Sequence, residues 1–295
     1  MGSEMCIRDR YKGRVCGIPQ DVWVSVMYFR KDVLRKLGWS EYEINSLPEK
    51  VMKGEFTMYD LLEVAKQAEI KGIVSRGLIH EPYPGYDLLQ FYVAFGGRLL
   101  DLETGKIVFK KSAWKKTLEW FYDAAHVYKV VDPEQFGSHW EYDFYIPAKT
   151  GDVLFISGTQ YLKLALEQKY GISEEYFYEN FGYMLHPAGE KGGKPAAYGY
   201  VFAYFITSVA KERGVDEIAF LLTTLVMDAY INAEHALKSN HLPVLRSSFS
   251  NIVGEDRFLA DIMYMLDYAS FIYHPRAFEY VELCEKALTA VESGS

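Results

Sequence analysis

An α/β fold, with helices layered over an open sheet, is what this sequence predicts, and three observations predict it. Short β-prone runs alternate with amphipathic stretches along most of the chain, as in a sheet covered by helices. Glycine and proline mark the ends of several of these runs, at Gly38, Gly96-Gly97, Gly171 and the connector Gly189 to Pro195. The composition, 49% hydrophobic and 24% charged over 295 residues, is that of a globular protein with a sizeable core and a length prior of about two domains.

Each element follows from its residues. Lys12-Gly13-Arg14-Val15-Cys16-Gly17-Ile18-Pro19 is a short strand that closes at its proline, which limits φ and removes a donor. A second strand, Trp23 to Phe29, becomes a basic amphipathic helix that Gly38 caps. Thr57 with Asp60 opens a helix in capping-box fashion, and Leu61, Leu62, Ala65 and Ala68 then share one face. Asp87 to Phe95 is a helix stopped by Gly96-Gly97, and Leu99 to Phe109 a hairpin split by Thr104-Gly105. Ser112 caps a helix whose Trp114, Leu118, Phe121, Ala125 and Tyr128 recur at core spacing. Asp152 to Ser157 is a strand, Thr159 to Tyr170 a helix, and Phe181 to Leu185 and Tyr198 to Thr207 are strands. One long helix from Asp216 to about Lys238, and two more from Glu255 and from Arg276, complete the chain.

Several functions are excluded at this level. A formal net charge of −8 gives no electrostatic reason to bind nucleic acid or an anionic membrane surface. No apolar run is long enough to cross a bilayer. The seven histidines, His80, His126, His139, His186, His235, His241 and His274, show no zinc-site spacing, and no cofactor is expected. Gly189 to Lys194 fails as a phosphate loop, because Pro195 follows the lysine and Ala188 stands where the first glycine belongs. Ser157 lacks the glycine two residues earlier that a nucleophile elbow requires. Of the three cysteines, Cys6 lies in the N-terminal decapeptide, and Cys16 and Cys284 read as buried free thiols.

Sheets of this class bind ligands outside the carboxyl ends of their strands. The candidate turns are Pro19 to Val24, Glu81 to Tyr86, Ser157 to Tyr161 and Ala197 to Tyr200. The chain is 16% aromatic, with 24 tyrosines. Flat rings with a polar edge suit the C–H face and hydroxyl rim of a sugar. Position at predicted strand ends selects Trp23, Tyr83, Tyr161 and Tyr200 from the aromatics of the core.

Gly17-Ile18-Pro19 followed by Met27-Tyr28-Phe29-Arg30-Lys31-Asp32 resembles the "G-I-P" and "Y-Y-N-K-D" passage of the bacterial extracellular solute-binding proteins of the sugar-binding, maltose-binding-protein-like type. Thr57-Met58-Tyr59-Asp60, Gly151 to Gly158, Tyr198-Gly199-Tyr200 and Asn240-His241-Leu242-Pro243-Val244 continue the family's order. The resemblance implies a periplasmic-binding-protein-like two-lobed fold, here with most of the N-terminal lobe missing. On that reading residues 1–10, which are no signal peptide, are a tag or artefact and the chain is a fragment. Residues 11–19 and 196–248 are then the remnant of the N-terminal lobe, and 20–195 and 249–295 the C-terminal lobe. Trp23 falls where a family member has a ligand-contacting glutamate, Glu81-Pro82-Tyr83 repeats a sugar-contacting Glu-Pro-Tyr, and Gln160 with Tyr161 stands where a tryptophan stacks. With Asp21, Tyr198 and Tyr200 these form the expected ligand set, lying between the lobes and directed at a solute other than maltodextrin. The implied function is non-enzymatic: a periplasmic protein or lipoprotein, monomeric when intact, captures a sugar or oligosaccharide by hinge closure and delivers it to the membrane permease of an ATP-driven importer. A secreted carbohydrate-active hydrolase, with Asp21 and Glu81 as its carboxylate pair, is the alternative.

Overall fold

The computed structural model describes residues 10–11, 14–15, 17–83, 85–101, 103–272, 274 and 276–295. Residues 1–9, with Cys6, and Cys16 lie outside the described residues. The principal strands are β1 (Ile18–Arg30), β2 (Arg76–His80), β3 (Val153–Thr159), β4 (Phe181–Met184), β5 (Ala197–Tyr204), β6 (Leu242–Pro243) and β7 (Ala269–Ser270). The principal helices are α1 (Lys31–Leu37), α2 (Glu41–Met52), α3 (Met58–Ile70), α4 (Leu89–Ala94), α5 (Lys111–Tyr122), α6 (Tyr161–Gln168), α7 (Glu174–Asn180), α8 (Asp216–Leu225), α9 (Ala229–Ser239) and α10 (Ala277–Ser293). Among the described residues no helix is long and apolar enough to cross a membrane.

The chain divides into two compact units. The smaller contains Met1–Val24, Leu99–Val108 and Gly199–Pro275; the larger contains Ser25–Arg98, Phe109–Tyr198 and Arg276–Ser295. The layout expected from the resemblance placed the corresponding breaks after Pro19, Pro195 and Ser248.

In the larger unit the strand order is β2-β3-β1-β4. β2 and β3 run parallel, from Arg76 opposite Val153 to His80 opposite Ser157. The Ser25 to Arg30 part of β1 lies antiparallel to both β3 and β4. Val153 to Gly158 are all buried, so this sheet is covered on both faces, and its strands read as continuous apolar runs rather than alternating ones. Thr57 and Asp60 form the expected capping box at α3, and Leu61, Leu62, Ala65 and Ala68 are fully buried. α5 begins at Lys111, so Ser112 lies inside the helix and does not cap it.

Arg30, only 1% exposed, fastens this unit at the end of β1. It donates to both carboxylate oxygens of Asp32 at 2.8 and 3.0 Å, to the Ala148 carbonyl at 2.8 Å and to the Tyr176 hydroxyl at 3.1 Å, and lies 4.6 Å from the ring centre of Phe181. Gly151, with φ of 77°, packs against that guanidinium, where a Cβ would come within 2.6 Å of it. Cys284 of α10 is a buried free thiol, its pKa raised to about 12 chiefly by its burial.

In the smaller unit Ile18 to Val24 of β1 pair antiparallel with Gly199 to Tyr204 of β5, and Asp21 and Val22 pair with β6. Two expectations are corrected here. The chain neither ends its strand nor turns at Pro19: β1 runs on unbroken for 13 residues, and the register shifts between Pro19 and Asp21. Such a bulge accommodates a residue that has no N–H to give to the ladder. The single helix expected from Asp216 to Lys238 is two helices, because Asp228 leaves the helical region and caps α9, its side chain accepting from the Tyr230 and Ile231 N–H groups. α8 buries none of its residues, and Ile218, Phe220, Leu221, Leu222 and Leu225 are exposed.

Candidate functional site

The smaller unit holds Asp21, Trp23 and Tyr200 of the expected set. Asp21 and Trp23 stand within β1 rather than at a turn, and Tyr200 stands within β5, directly opposite Trp23. Trp23 and Tyr200 stack, with ring centres 5.7 Å apart and planes within 13°, and Phe202 meets Tyr200 edge-on at 5.2 Å. Asp21 has a different occupation. Its carboxylate is buried, with His235 Nε2 of α9 at 2.6 Å and His241 Nδ1 at 3.0 Å. The His235 contact is a hydrogen bond, the Ser239 hydroxyl donates to the same carboxylate oxygen at 3.4 Å, and the carboxylate so engaged ties α9 to β1, whereas the His241 contact lacks hydrogen-bond geometry.

In the larger unit the parallel strands β2 and β3 end side by side; the turn after β2 carries Glu81 and Tyr83, and β3 leads directly into Gln160 and Tyr161 at the start of α6. Glu81 is buried, and its Oε1 accepts the Thr159 N–H at 3.2 Å. Tyr83 and Tyr161 are 65% and 54% exposed, so both rings leave apolar area to solvent. Gln160 is buried at the start of α6, and Tyr198 is buried with its ring stacked on Tyr86 at 6.1 Å.

Two residues of this site were not foreseen. Trp140 to Tyr145 forms a π-helical turn, a geometry that recurs at functional sites. Arg76 fixes that turn to β2, donating to the Asp143 carboxylate at 2.9 Å and to its carbonyl at 3.0 Å. The turn presents half-buried Tyr145 and exposed Trp140, ring centres 6.0 Å apart. Burial pushes the Tyr145 hydroxyl up to about 12, with the charges of Glu81 and Tyr161 adding to the shift, so the three groups share one electrostatic neighbourhood. The aromatic density of His139-Trp140-Glu141-Tyr142-Asp143-Phe144-Tyr145 was the signal available in the sequence.

Other chemistry is limited by burial. Ser157 Oγ lies 2.8 Å from His186 Nε2, but both residues are buried, and desolvation lowers His186 to about 3. Among the described residues no group of three or more His, Cys, Asp or Glu side chains is placed to hold a metal ion. An open cleft of about 660 Å³ on the larger unit, lined by Glu69, Arg76, His126, Lys129, Asp132 and Gln135 among others, includes none of the aromatic residues above.

Parallel strands that end at aromatic-bearing turns, flanked by helices, define a ligand-binding α/β protein of the periplasmic-binding-protein type. The family model for bacterial extracellular solute-binding proteins matches residues 7–224, and the chain belongs to that family. The family is one of extracytoplasmic proteins that bind solutes rather than transform them, and neighbours in fold include solute-binding proteins of ABC transporters solved with tagatose and with ribitol. The fold is similar to that of the sugar-binding protein MalE from Xanthomonas citri, with a TM-score of 0.70 and 18% identity, over 97% of this chain and 68% of that one. The GacH receptor of Streptomyces glaucescens is similar with a TM-score of 0.69 and 18% identity, over 97% and 68% of the two chains. Maltose-bound MalE3 of T. maritima gives 0.66 and 21% identity, over 96% and 68%. No curated protein matches the chain in sequence.

Proposed function

We propose that this protein captures a neutral sugar or short oligosaccharide outside the cytoplasm and passes it to the membrane permease of an ATP-driven importer. The observation that carries this reading is the aromatic neighbourhood of the buried Glu81 on the larger unit: the charges of Glu81 and Tyr161 act on Tyr145, Trp140 lies 6.0 Å from the Tyr145 ring, and the exposed Tyr83 follows Glu81 by two residues. Rings supply stacking faces, and a carboxylate accepts from hydroxyls, so the set suits a polyol ring and disfavours an anion. Trp23 stacked on Tyr200 is a second platform of the same chemistry on the smaller unit. Neighbours in fold include proteins solved with maltose, acarbose and maltotriose, which supports the substrate class without choosing the sugar. Capture by hinge closure fits this reading: ligand shifts an open–closed equilibrium by its differential affinity for the closed form, and that form engages the permease.

Titration calorimetry of the full chain against maltose, maltotriose and a panel of pentoses and hexoses tests the proposal. At least one sugar is expected to bind, with Tyr145→Ala or Tyr83→Ala weakening it by about tenfold or more, as loss of a stacking ring and its hydroxyl does. The same mixtures analysed for hydrolysis products are expected to contain the sugar unchanged. Absence of binding across the panel, or release of products, overturns the reading.

A further inference from the structure

The turn carrying Glu81 and Tyr83 is held from behind by a carboxylate on the last turn of α10. Glu292 is 0% exposed and His80, the residue before Glu81, is 1% exposed. Glu292 Oε2 lies 2.6 Å from His80 Nε2, and Glu292 Oε1 accepts the Phe136 N–H at 3.0 Å. The other ring nitrogen, His80 Nδ1, lies 2.9 Å from the Glu81 carbonyl oxygen. Gln135 donates to the His80 carbonyl at 2.8 Å, and the Gly137 N–H donates to the Pro82 carbonyl at 2.8 Å. The loop of Gln135, Phe136 and Gly137 is thus joined directly to the Glu81-Pro82-Tyr83 turn. One buried carboxylate grips both the residue that opens the turn and the loop that backs it.

The protons in this arrangement are constrained by the chemistry of its partners. A carbonyl oxygen only accepts, so His80 Nδ1 carries a hydrogen and donates it to Glu81. Nε2 then meets Glu292 either as a second N–H or as the acceptor of a carboxylic proton, and in both cases one proton lies between ring and carboxyl. The imidazole is tethered at both nitrogens. A carboxylate is costly to bury, and the C-terminal end of a helix is electrostatically the wrong place for one, so this position is unfavourable unless its partners compensate.

We propose that Glu292 is a positioning residue for ligand binding, which holds the Glu81-Pro82-Tyr83 turn in its sugar-contacting shape through His80 and Phe136. This rests on the reading that Glu81 and Tyr83 meet the sugar. α10 thereby has a part in affinity although Glu292 itself is closed to solvent.

The test compares Glu292→Ala and Glu292→Gln with the unaltered full chain. A glutamine keeps every bond: its amide oxygen accepts from Phe136, and its N–H donates to Nε2 of a neutral His80 whose Nδ1–H still serves Glu81. Calorimetry with whichever of maltose, maltotriose and the pentoses and hexoses of the panel the unaltered chain binds most tightly is expected to show affinity reduced about tenfold or more in Glu292→Ala and restored to within about twofold by Glu292→Gln, as the loss and recovery of buried hydrogen bonds require. Amide hydrogen exchange supplies a readout that needs no ligand. The Gly137 N–H, which reports the bond to Pro82, is expected to exchange faster in Glu292→Ala and at the original rate in Glu292→Gln, with Leu154 to Ile156 of β3 unchanged in both. If Glu292→Ala does not fold, His80→Asn takes its place, since its short amide reaches the Glu81 carbonyl but not Glu292. Unchanged Gly137 exchange in Glu292→Ala, or equal impairment by alanine and glutamine, overturns the proposal. An unaltered chain that binds no sugar of the panel counts against the sugar-binding reading, and the exchange comparison then decides the positioning role alone.

Discussion

His186 shows how one buried side chain ties stability to pH. Its Nε2 lies 2.8 Å from the Ser157 hydroxyl, its Nδ1 has no hydrogen-bond partner among the described residues, and burial lowers its pKa to about 3. An unfolded chain takes up this proton near pH 6.5, whereas the folded protein resists it down to about pH 3. Between those limits the unfolded state binds more protons, so this residue's contribution falls as the pH falls. The loss approaches about 1.4 kcal/mol per pH unit. Urea unfolding at pH 7, 6, 5 and 4 is expected to show that slope, and His186→Gln to flatten it; an unchanged slope in the variant would assign the acid sensitivity to other groups. Trp23 offers a second test at this scale. It is half-buried and stacks on Tyr200, so Trp23→Ala is expected to weaken sugar binding while leaving the unfolding of the free protein almost unchanged. Destabilisation by several kcal/mol, the mark of a deleted core ring, would make Trp23 a packing residue instead.

Helix ends and strand breaks show what local chemistry controls among the elements. Asp228 stops one helix and starts the next, so Asp228→Ala removes the acceptor for two N–H groups of α9. Destabilisation by about 1 kcal/mol is expected, measured as a lower Tm of the smaller unit. No change in Tm would show that packing alone sets the break. Thr57 with Asp60, and Gly38 after α1, were legible in the sequence because a cap is decided by a few neighbouring residues. The break at Asp228 was not, because the apolar pattern continues across it and hides a cap residue within an apparent helix. Pro19 misled for a related reason: its missing donor is a local fact, but the bulge that accommodates it depends on partner strands remote in sequence. The site divides in the same way. Glu81, Tyr83 and Tyr161 could be selected as residues following strands, whereas Trp140 and Tyr145 depend on a π-helical turn that has no simple sequence period. The engagement of Asp21 by His235 and Ser239 joins residues more than 200 positions apart, beyond the reach of any spacing rule.

For the molecule as a whole, uncovered apolar surface and buried polar chemistry set opposite expectations. α8 exposes Ile218, Phe220, Leu221, Leu222 and Leu225, and Phe205 and Ile206 just after β5 are also exposed. Large apolar side chains left exposed in this number favour association. Size-exclusion chromatography with light scattering is expected to show concentration-dependent oligomers, which Phe220→Glu with Leu221→Glu should reduce; a monodisperse monomer at every concentration would refute this. The thiol inside the larger unit has a separate consequence. A thiolate is the species that alkylating reagents attack, and with a pKa of about 12 the Cys284 thiol supplies almost none near neutrality. In a chain whose other two cysteines are replaced, by Cys6→Ser and Cys16→Ser, alkylation would record openings of α10 in native buffer, without denaturant. The same silent sulfur would then be a clock: its rate of capture, read by mass, would give the frequency with which the helix that bears Glu292 leaves its place.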